Sequence, residues 1–140
     1  MERTGLVFSG ACTLVDSQEE TYRLSDGFLS AKEVSELDFR KIDLVSLSAC
    51  QTGLGLDTND GIYGLQRGFK KAGVKSIIMT LDKVDDSATC FLMTEFYRNW
   101  LDKGLSKQKS LELAQDAVRQ TPGWEKPVFW SAFVLLDGLE

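Results

Sequence analysis

The chain has 140 residues, a size that predicts one domain, and its 43% apolar and 26% charged residues are typical of a globular fold with a buried core. A net charge of −5 argues against binding to the phosphate backbone of a nucleic acid. No apolar run approaches the roughly 20 residues that span a bilayer. We therefore expect a soluble, cytosolic protein whose partners are neither nucleic acid nor membrane.

Short apolar runs alternate with helical patterns along the chain. The predicted strands are 5–9, 43–49, 74–81 and 128–136. The first predicted helix, 31–37, begins with a capping box formed by Ser30 and Glu33. The second carries Ile62, Leu65 and Phe69 at helical spacing and ends at Gly73. A third starts at 85–87 and runs to about 102. A fourth is capped by Ser106 and ends before Pro122.

Strands that alternate with helices predict βαβ units. We therefore expect an α/β fold with a mainly parallel sheet, helices on both faces and functional groups at the carboxyl ends of the strands. Gly64 and Gly68 lie four residues apart in the second predicted helix. Each glycine costs about 1 kcal/mol of helix propensity relative to alanine, which predicts compensating close packing against the sheet.

The sequence contains three cysteines and no histidine. The lack of histidine excludes a Ser-His-Asp or Cys-His active site within this chain, and also a zinc site with histidine ligands. Cys12, Cys50 and Cys90 are odd in number and widely spaced, as expected of reduced thiols. Cys50 follows a predicted buried strand and precedes a glycine-containing loop. It is therefore either a nucleophile beside free backbone N–H groups or a small packed hydrophobe.

The loop 53–61 is rich in glycine and acidic residues but matches no cofactor motif. Thr58 stands where a dinucleotide-binding loop needs its third glycine, and neither the Gly-Lys-Ser/Thr of a P-loop nor the terminal glutamate of a calcium-binding loop is present. We therefore expect no metal and no cofactor. The aromatic residues Trp124, Phe129 and Trp130 are interpreted as packing residues rather than as a binding platform.

Three aspartates, Asp82, Asp85 and Asp86, follow the predicted strand 74–81. One interpretation is that Asp85 or Asp86 caps the next helix, where a carboxylate interacts favourably with the helix dipole. The other is that these carboxylates bind a cationic side chain of a substrate at the edge of the sheet. The residues alone leave both interpretations open.

Several segments, in order, resemble one known family. They are LSACQTGLG at 47–55, GIYGLQRGF at 61–69 and KVDDSAT at 83–89, flanked by 3–11, 26–33 and 129–136. Together they resemble the C-terminal part of a CHAT domain, a caspase-like module often attached to TPR repeats. The resemblance covers nearly the whole chain. It implies a caspase-like α/β fold that is incomplete at its N-terminal side, with residues 1–140 forming the C-terminal part of one CHAT domain.

The CHAT family is similar to caspases and separase, which are peptidases with a Cys-His dyad. The resemblance implies that Cys50 is the nucleophile and that its backbone N–H helps to bind the oxyanion. A separase segment that holds an arginine before the scissile bond matches 82–86, which makes Asp86 the candidate for a basic-residue pocket beside Asp85 and Asp82. Two positions depart from the family: Asp82 stands in place of tryptophan, and Gln51 stands where glutamate is common.

The family's histidine lies in a motif upstream of the point where this sequence starts. We therefore expect the C-terminal segment of a CHAT cysteine endopeptidase that cleaves a protein or peptide substrate after a basic residue and is inactive alone. The alternative is a non-enzymatic pseudoprotease that acts as a protein-interaction module, and a phosphate- or nucleotide-binding α/β domain is a third hypothesis. We also expect TPR repeats in the parent chain and a homo-oligomer formed through an exposed sheet edge.

Overall fold

A computed structural model describes residues 5–7, 27–47 and 58–137 of the chain. These residues belong to two compact units. The first unit comprises 5–7, 27–43 and 58–75, and the second comprises 44–47 and 76–137. None of the helices in these ranges combines the length and the apolar composition that a bilayer-spanning segment needs.

The first unit contains a pair of short antiparallel strands and two helices that pack against each other. The capping box predicted at the start of the first helix is confirmed: the backbone N–H of Glu33 donates to the Ser30 hydroxyl oxygen over 3.2 Å, and the Glu33 carboxylate accepts from the Ser30 backbone N–H over 2.7 Å. The elements of this unit are β1 (Gly5–Val7), β2 (Phe28–Ser30), α1 (Ala31–Glu36) and α2 (Thr58–Ala72).

The contact between α1 and α2 depends on a glycine. A Cβ atom built on Gly68 would lie 2.5 Å from the backbone carbonyl oxygen of Ala31, so no side chain fits at this position. The sequence predicted that this glycine packs closely against the sheet. Close packing is present, but the partner is a helix, because the nearest atoms belong to the first turn of α1. The lost helix propensity is thus offset by the close approach of two helix backbones.

The end of α2 follows the predicted glycine stop. Gly73 has a φ of 99°, in the left-handed region that glycine adopts without strain. Its backbone N–H donates to the carbonyl of Lys70 over 3.1 Å, and the N–H of Val74 donates to the carbonyl of Phe69 over 3.2 Å. This is the Schellman arrangement, which satisfies carbonyl groups that the end of a helix leaves without partners.

The second unit is a three-stranded sheet, in the order β3-β4-β5, covered on one face by two helices. The α/β fold class is confirmed. The core contains Ile78, Leu92, Phe96, Leu111, Ala114, Val118 and Phe133, with Trp124, Phe129 and Trp130 packed against it as predicted. The elements are β3 (Leu44–Leu47), β4 (Ser76–Thr80), α3 (Asp86–Tyr97), a π-helical turn (Arg98–Asp102), α4 (Lys107–Arg119), a 3₁₀ turn (Pro127–Phe129) and β5 (Phe133–Asp137).

Strand direction differs between the two strand pairs of this sheet. β3 and β4 are parallel, as a βαβ unit requires, but β4 and β5 are antiparallel. Two helices, α3 and α4, lie between β4 and β5 in sequence and pack against each other. The second helix returns the chain to the end of the sheet at which β4 finishes, and the next strand must therefore run back along β4.

The predicted strand 128–136 begins too early. Residues Pro127–Phe129 form a 3₁₀ turn instead, in which the N–H groups of Trp130 and Ser131 both donate to the carbonyl of Pro127. Proline has a fixed φ near −65° and is well suited to the first position of such a turn. The strand therefore starts at Phe133, after the turn has ended.

Candidate functional site

The carboxyl ends of β3 and β4 lie at the same edge of the sheet. The parallel register pairs Leu47, the last residue of β3, with Met79, the residue before the end of β4. Beyond β4, the N–H of Leu81 donates to the carbonyl of Ala132 over 2.9 Å, which continues the pairing past the end of the strand. We call this border of the sheet the carboxyl edge.

The candidate nucleophile Cys50 follows Leu47 by three residues in the sequence. Cys50 lies outside the described residues, and so do Cys12 and Gln51. Cys90 is the cysteine that the structure describes, and its side chain is exposed on α3. The nucleophile assignment therefore rests on the resemblance and on the position of Cys50 after β3 in the sequence.

Residues 82–86, which we call the acidic segment, connect β4 to α3 and carry three carboxylates and one lysine. Asp85 is the N-cap of α3: its carboxylate oxygen Oδ1 accepts a hydrogen bond from the backbone N–H of Ala88 over 2.8 Å. This bond satisfies one of the helix N–H groups that lack a partner within the helix. Of the two interpretations open for this residue, capping is the one that the geometry supports.

The other two carboxylates of the acidic segment are arranged differently. Asp82 accepts a hydrogen bond from the backbone N–H of Lys83 over 2.7 Å. Asp86 lies in the first turn of α3, is exposed, and makes no side-chain hydrogen bond or ion pair with any residue that the structure describes. Asp86 is thus the carboxylate whose binding capacity the fold leaves available, at the end of α3 that favours negative charge.

Two threonine hydroxyls flank the acidic segment in sequence, and neither was singled out from the sequence. Thr80, at the end of β4, is 3% exposed, and Thr89 is half-buried in α3. The Oγ1 atoms of both are inaccessible and have no hydrogen-bond partner among the residues that the structure describes. A buried hydroxyl without a partner costs about 1–3 kcal/mol, and such groups often lie near functional sites. Sequence gives no signal for them, because tertiary contacts decide which hydroxyls find partners.

The acidic segment is bordered by apolar side chains. Leu81, immediately before it, is 51% exposed, and Val84 within it is half-buried against the core of the second unit. Within the described ranges, no group of three or more Cys, Asp or Glu side chains is placed to hold a metal ion. The acidic segment thus offers one available carboxylate and is preceded in the chain by an exposed leucine, and these two kinds of group suit the cationic head and the aliphatic stem of an arginine or lysine.

Comparisons with known proteins identify the family of this chain. The family model of the CHAT domain matches residues 1–138. The human protein named Tetratricopeptide repeat protein 28 is 28% identical to this chain over 113 residues, which is 81% of the chain and 4% of that protein's length. A search of the solved structures found no match. Since the family model covers nearly all of the sequence, this chain belongs to the CHAT domain family, a caspase-like group related to peptidases.

Proposed function

We propose that residues 1–140 form the C-terminal part of one CHAT domain and supply the nucleophile and a basic-residue pocket of a cysteine endopeptidase. Cys50 is the nucleophile, and its own backbone N–H is part of the oxyanion hole. Asp86 binds the cationic side chain that precedes the scissile bond, with Asp82 and Asp85 beside it. The substrate is a protein or peptide, and the reaction uses no metal and no cofactor.

The observation that carries this proposal is the free carboxylate of Asp86 on the carboxyl edge. The parallel pairing of β3 and β4 brings the ends of both strands to this edge. Asp85 is occupied by the cap of α3, whereas Asp86 has no partner among the residues described. A carboxylate that has no hydrogen-bond or ion-pair partner among the described residues, at the edge where β3 ends, supports a pocket for a basic residue close to the nucleophile.

The chemistry requires a base that the 140 residues do not contain, since the sequence has no histidine. In the proposed reaction, the Cys50 thiolate bonds to the substrate carbonyl carbon, and the backbone N–H stabilises the oxyanion. The C–N bond then breaks as an imidazolium, supplied by another segment of polypeptide, protonates the leaving amine. Water hydrolyses the thioester to a carboxylate and restores the thiol. Without an imidazole, most of the thiol stays protonated at neutral pH and the chain is inactive.

The test uses a polypeptide that carries this sequence together with a CHAT segment containing the family's histidine. We expect cleavage of peptide substrates after arginine or lysine, and its complete loss in Cys50→Ala. Cys90→Ala is the matched control, because Cys90 is an exposed cysteine on the outside of α3 and should be dispensable. Cleavage that persists in Cys50→Ala would show that another group is the nucleophile.

The pocket is tested separately with Asp86→Asn. Loss of one charge-assisted hydrogen bond is expected to lower kcat/KM for arginyl substrates by about 10- to 100-fold, while citrulline substrates stay equally poor in both proteins. Asp102→Asn, a change at the far end of the same helical segment, is the control and should have no effect. An unchanged preference for arginine in Asp86→Asn would contradict the pocket assignment.

The lack of histidine also favours a second candidate, a pseudoprotease that binds peptides without cleaving them. This candidate predicts that arginyl peptides bind at Asp86 but are not hydrolysed by the native protein that contains this sequence. In both cases we propose TPR repeats in the parent protein, supported by the printed name of the human relative. Hydrolysis dependent on Cys50 decides between the two candidates.

We also propose that the chain forms a homo-oligomer through a sheet edge. Among the described strands, β3 lies at one end of the sheet and pairs only with β4. An edge of this kind pairs readily with a strand of a second copy. Light scattering of the 140-residue chain is expected to give at least the mass of a dimer, and a monomer at all concentrations would contradict the proposal.

A further inference from the structure

A groove lies between α4 and β5 in the second unit. Its cavity volume is about 330 Å³. It includes Asp137, which pairs with Ser76 at the start of β4, so the groove lies toward the end of the sheet opposite to the carboxyl edge. Its lining residues, which define the α4–β5 groove, are Gln108, Leu111, Glu112, Gln115, Leu135 and Asp137.

The floor of the groove is apolar and fixed in position. Leu111 is 6% exposed and belongs to the core of the second unit, and Leu135 is packed against that core. Leu135 also pairs with Ile78 in the centre of the sheet. Because both leucines are anchored by neighbouring core residues, the floor is preformed and does not need to be assembled when a ligand binds.

The polar atoms around this floor are mostly hydrogen-bond acceptors. The side-chain nitrogen of Gln115 donates to the carbonyls of Trp130 and Phe133 over 2.9 and 3.2 Å, which leaves the side-chain oxygen as its remaining group. Asp137 accepts a hydrogen bond from the Ser76 hydroxyl and has further acceptor positions. No lysine or arginine is among the described residues that line the groove. A ligand that donates hydrogen bonds and carries positive charge therefore complements it.

The two carboxylates differ in how far they are already neutralised. Glu112 forms an ion pair with Lys109 over 3.1 Å, and both side chains are about half exposed. Asp137 forms no ion pair with any residue in the described ranges. A cation in the groove should therefore interact more strongly with Asp137 than with Glu112.

We propose that the α4–β5 groove binds an arginine side chain of a partner polypeptide. The aliphatic stem lies on Leu111 and Leu135, and the guanidinium donates to Asp137, to Glu112 and to the side-chain oxygen of Gln115. Arginine fits better than lysine because its planar head has five donors that can reach several acceptors at once. The volume is near the lower limit of about 300 Å³ for ligand sites, which suits one long side chain. The groove is separate from the acidic segment, and the inference does not depend on the proposed peptidase activity.

The test is an NMR titration of the 140-residue chain with N-acetyl-arginine amide. Saturable shifts are expected for the side-chain NH₂ of Gln115 and the methyl groups of Leu135, with a Kd in the millimolar range for one side chain. N-acetyl-citrulline amide, which has the same shape without the charge, is the matched probe and should give no saturable shift. Failure of the arginine probe to saturate well above millimolar concentration, or equal shifts with citrulline, would overturn the proposal.

Variants assign the binding to the groove. Asp137→Asn should weaken binding about tenfold while its side-chain oxygen still accepts from Ser76, and Glu112→Gln should weaken it less because Lys109 already offsets that charge. Asp116→Asn, an exposed acid of α4 paired with Arg119, is the control and should leave Kd unchanged. Asp86→Asn should also leave the Gln115 shifts unchanged, which separates this site from the acidic segment. An unchanged Kd in Asp137→Asn would contradict the assignment.

Discussion

The acidic segment and the α4–β5 groove both present carboxylates, but they hold them in different surroundings. In the acidic segment, Asp85 caps α3 and only Asp86 is left exposed and without a partner among the residues described. In the groove, Glu112 and Asp137 stand beside an apolar floor. The number of acids is therefore a poor guide to a binding site. A binding site is better indicated by carboxylates that do not cap a helix or form an ion pair, and by the apolar surface beside them.

The largest expected effect concerns the core that supports both regions. Phe96 is fully buried, in the same cluster as Ile78 and Leu111. Phe96→Ala should lower the free energy of unfolding by about 3–5 kcal/mol and weaken arginine binding at both regions together. Leu101→Ala is the control, because Leu101 is 63% exposed and its loss should change little. Urea denaturation measures the free energy of unfolding of the two variants. A similar decrease in Phe96→Ala and Leu101→Ala would contradict the described core.

The next effect concerns the unpartnered hydroxyls near the acidic segment. Thr80→Val and Thr89→Val should each raise the free energy of unfolding by about 1 kcal/mol, because each removes a buried hydroxyl that has no partner within the described ranges. In Thr121→Val the same change should destabilise the protein, since that hydroxyl donates to the carbonyl of Ala117 over 2.8 Å. Denaturation curves that shift in the same direction for all three variants would show that Thr80 and Thr89 have partners in solution.

A smaller effect separates the two neighbouring acids. Asp85→Ala should cost about 1 kcal/mol of stability, because it removes the N-cap of α3. Asp85→Asn should preserve the cap, because asparagine also accepts the hydrogen bond from the helix N–H. Asp86→Ala should cost a few tenths of a kcal/mol from the lost interaction with the helix dipole. Thermal denaturation measures the difference. If Asp86→Ala were the more destabilising change, Asp86 would have a structural partner and could not be the available carboxylate.

The smallest effect comes from a carboxylate paired at the surface of the first unit. Arg40 hydrogen-bonds and ion-pairs with Asp38 and lowers the pKa of that carboxyl from 3.8 to about 2. As the pH falls, the Asp38 carboxylate therefore binds a proton at a higher pH in the unfolded chain than in the folded chain. The ion pair stabilises the fold above about pH 4, and this contribution disappears as the pH falls toward 2. Urea denaturation of the wild type and Asp38→Asn should give stabilities that differ slightly near neutral pH and converge in acid.

Local signals in the sequence predicted much of the fold. The capping box at Ser30 and Glu33, the stop at Gly73 and the cap at Ser106 are all confirmed, because each involves residues within one or two helical turns. The antiparallel direction of β5 and the contact of Gly68 with Ala31 were not predicted. Both depend on how distant elements pack, and neither leaves a pattern in a short window of sequence.

The candidate functional site was likewise predicted only in part from the sequence. The resemblance to the CHAT family pointed to Asp82, Asp85 and Asp86, but only the hydrogen bond of Asp85 to Ala88 distinguishes the capping acid from the available one. The α4–β5 groove had no sequence signal, because its acceptors on α4 lie more than 20 residues from Asp137 on β5 and meet it only in the folded chain.

The most direct measurement is covalent labelling with a peptidyl-arginine acyloxymethyl ketone, a reagent that alkylates a thiol placed beside a bound arginine. The reagent is applied to the polypeptide that joins this sequence to a CHAT segment containing the family's histidine. Mass spectrometry then identifies the labelled residue. We predict modification of Cys50 and a large drop in its labelling rate when Asp86 is changed to asparagine. Labelling of Cys90 instead, or a rate at Cys50 that does not respond to Asp86→Asn, would contradict the account.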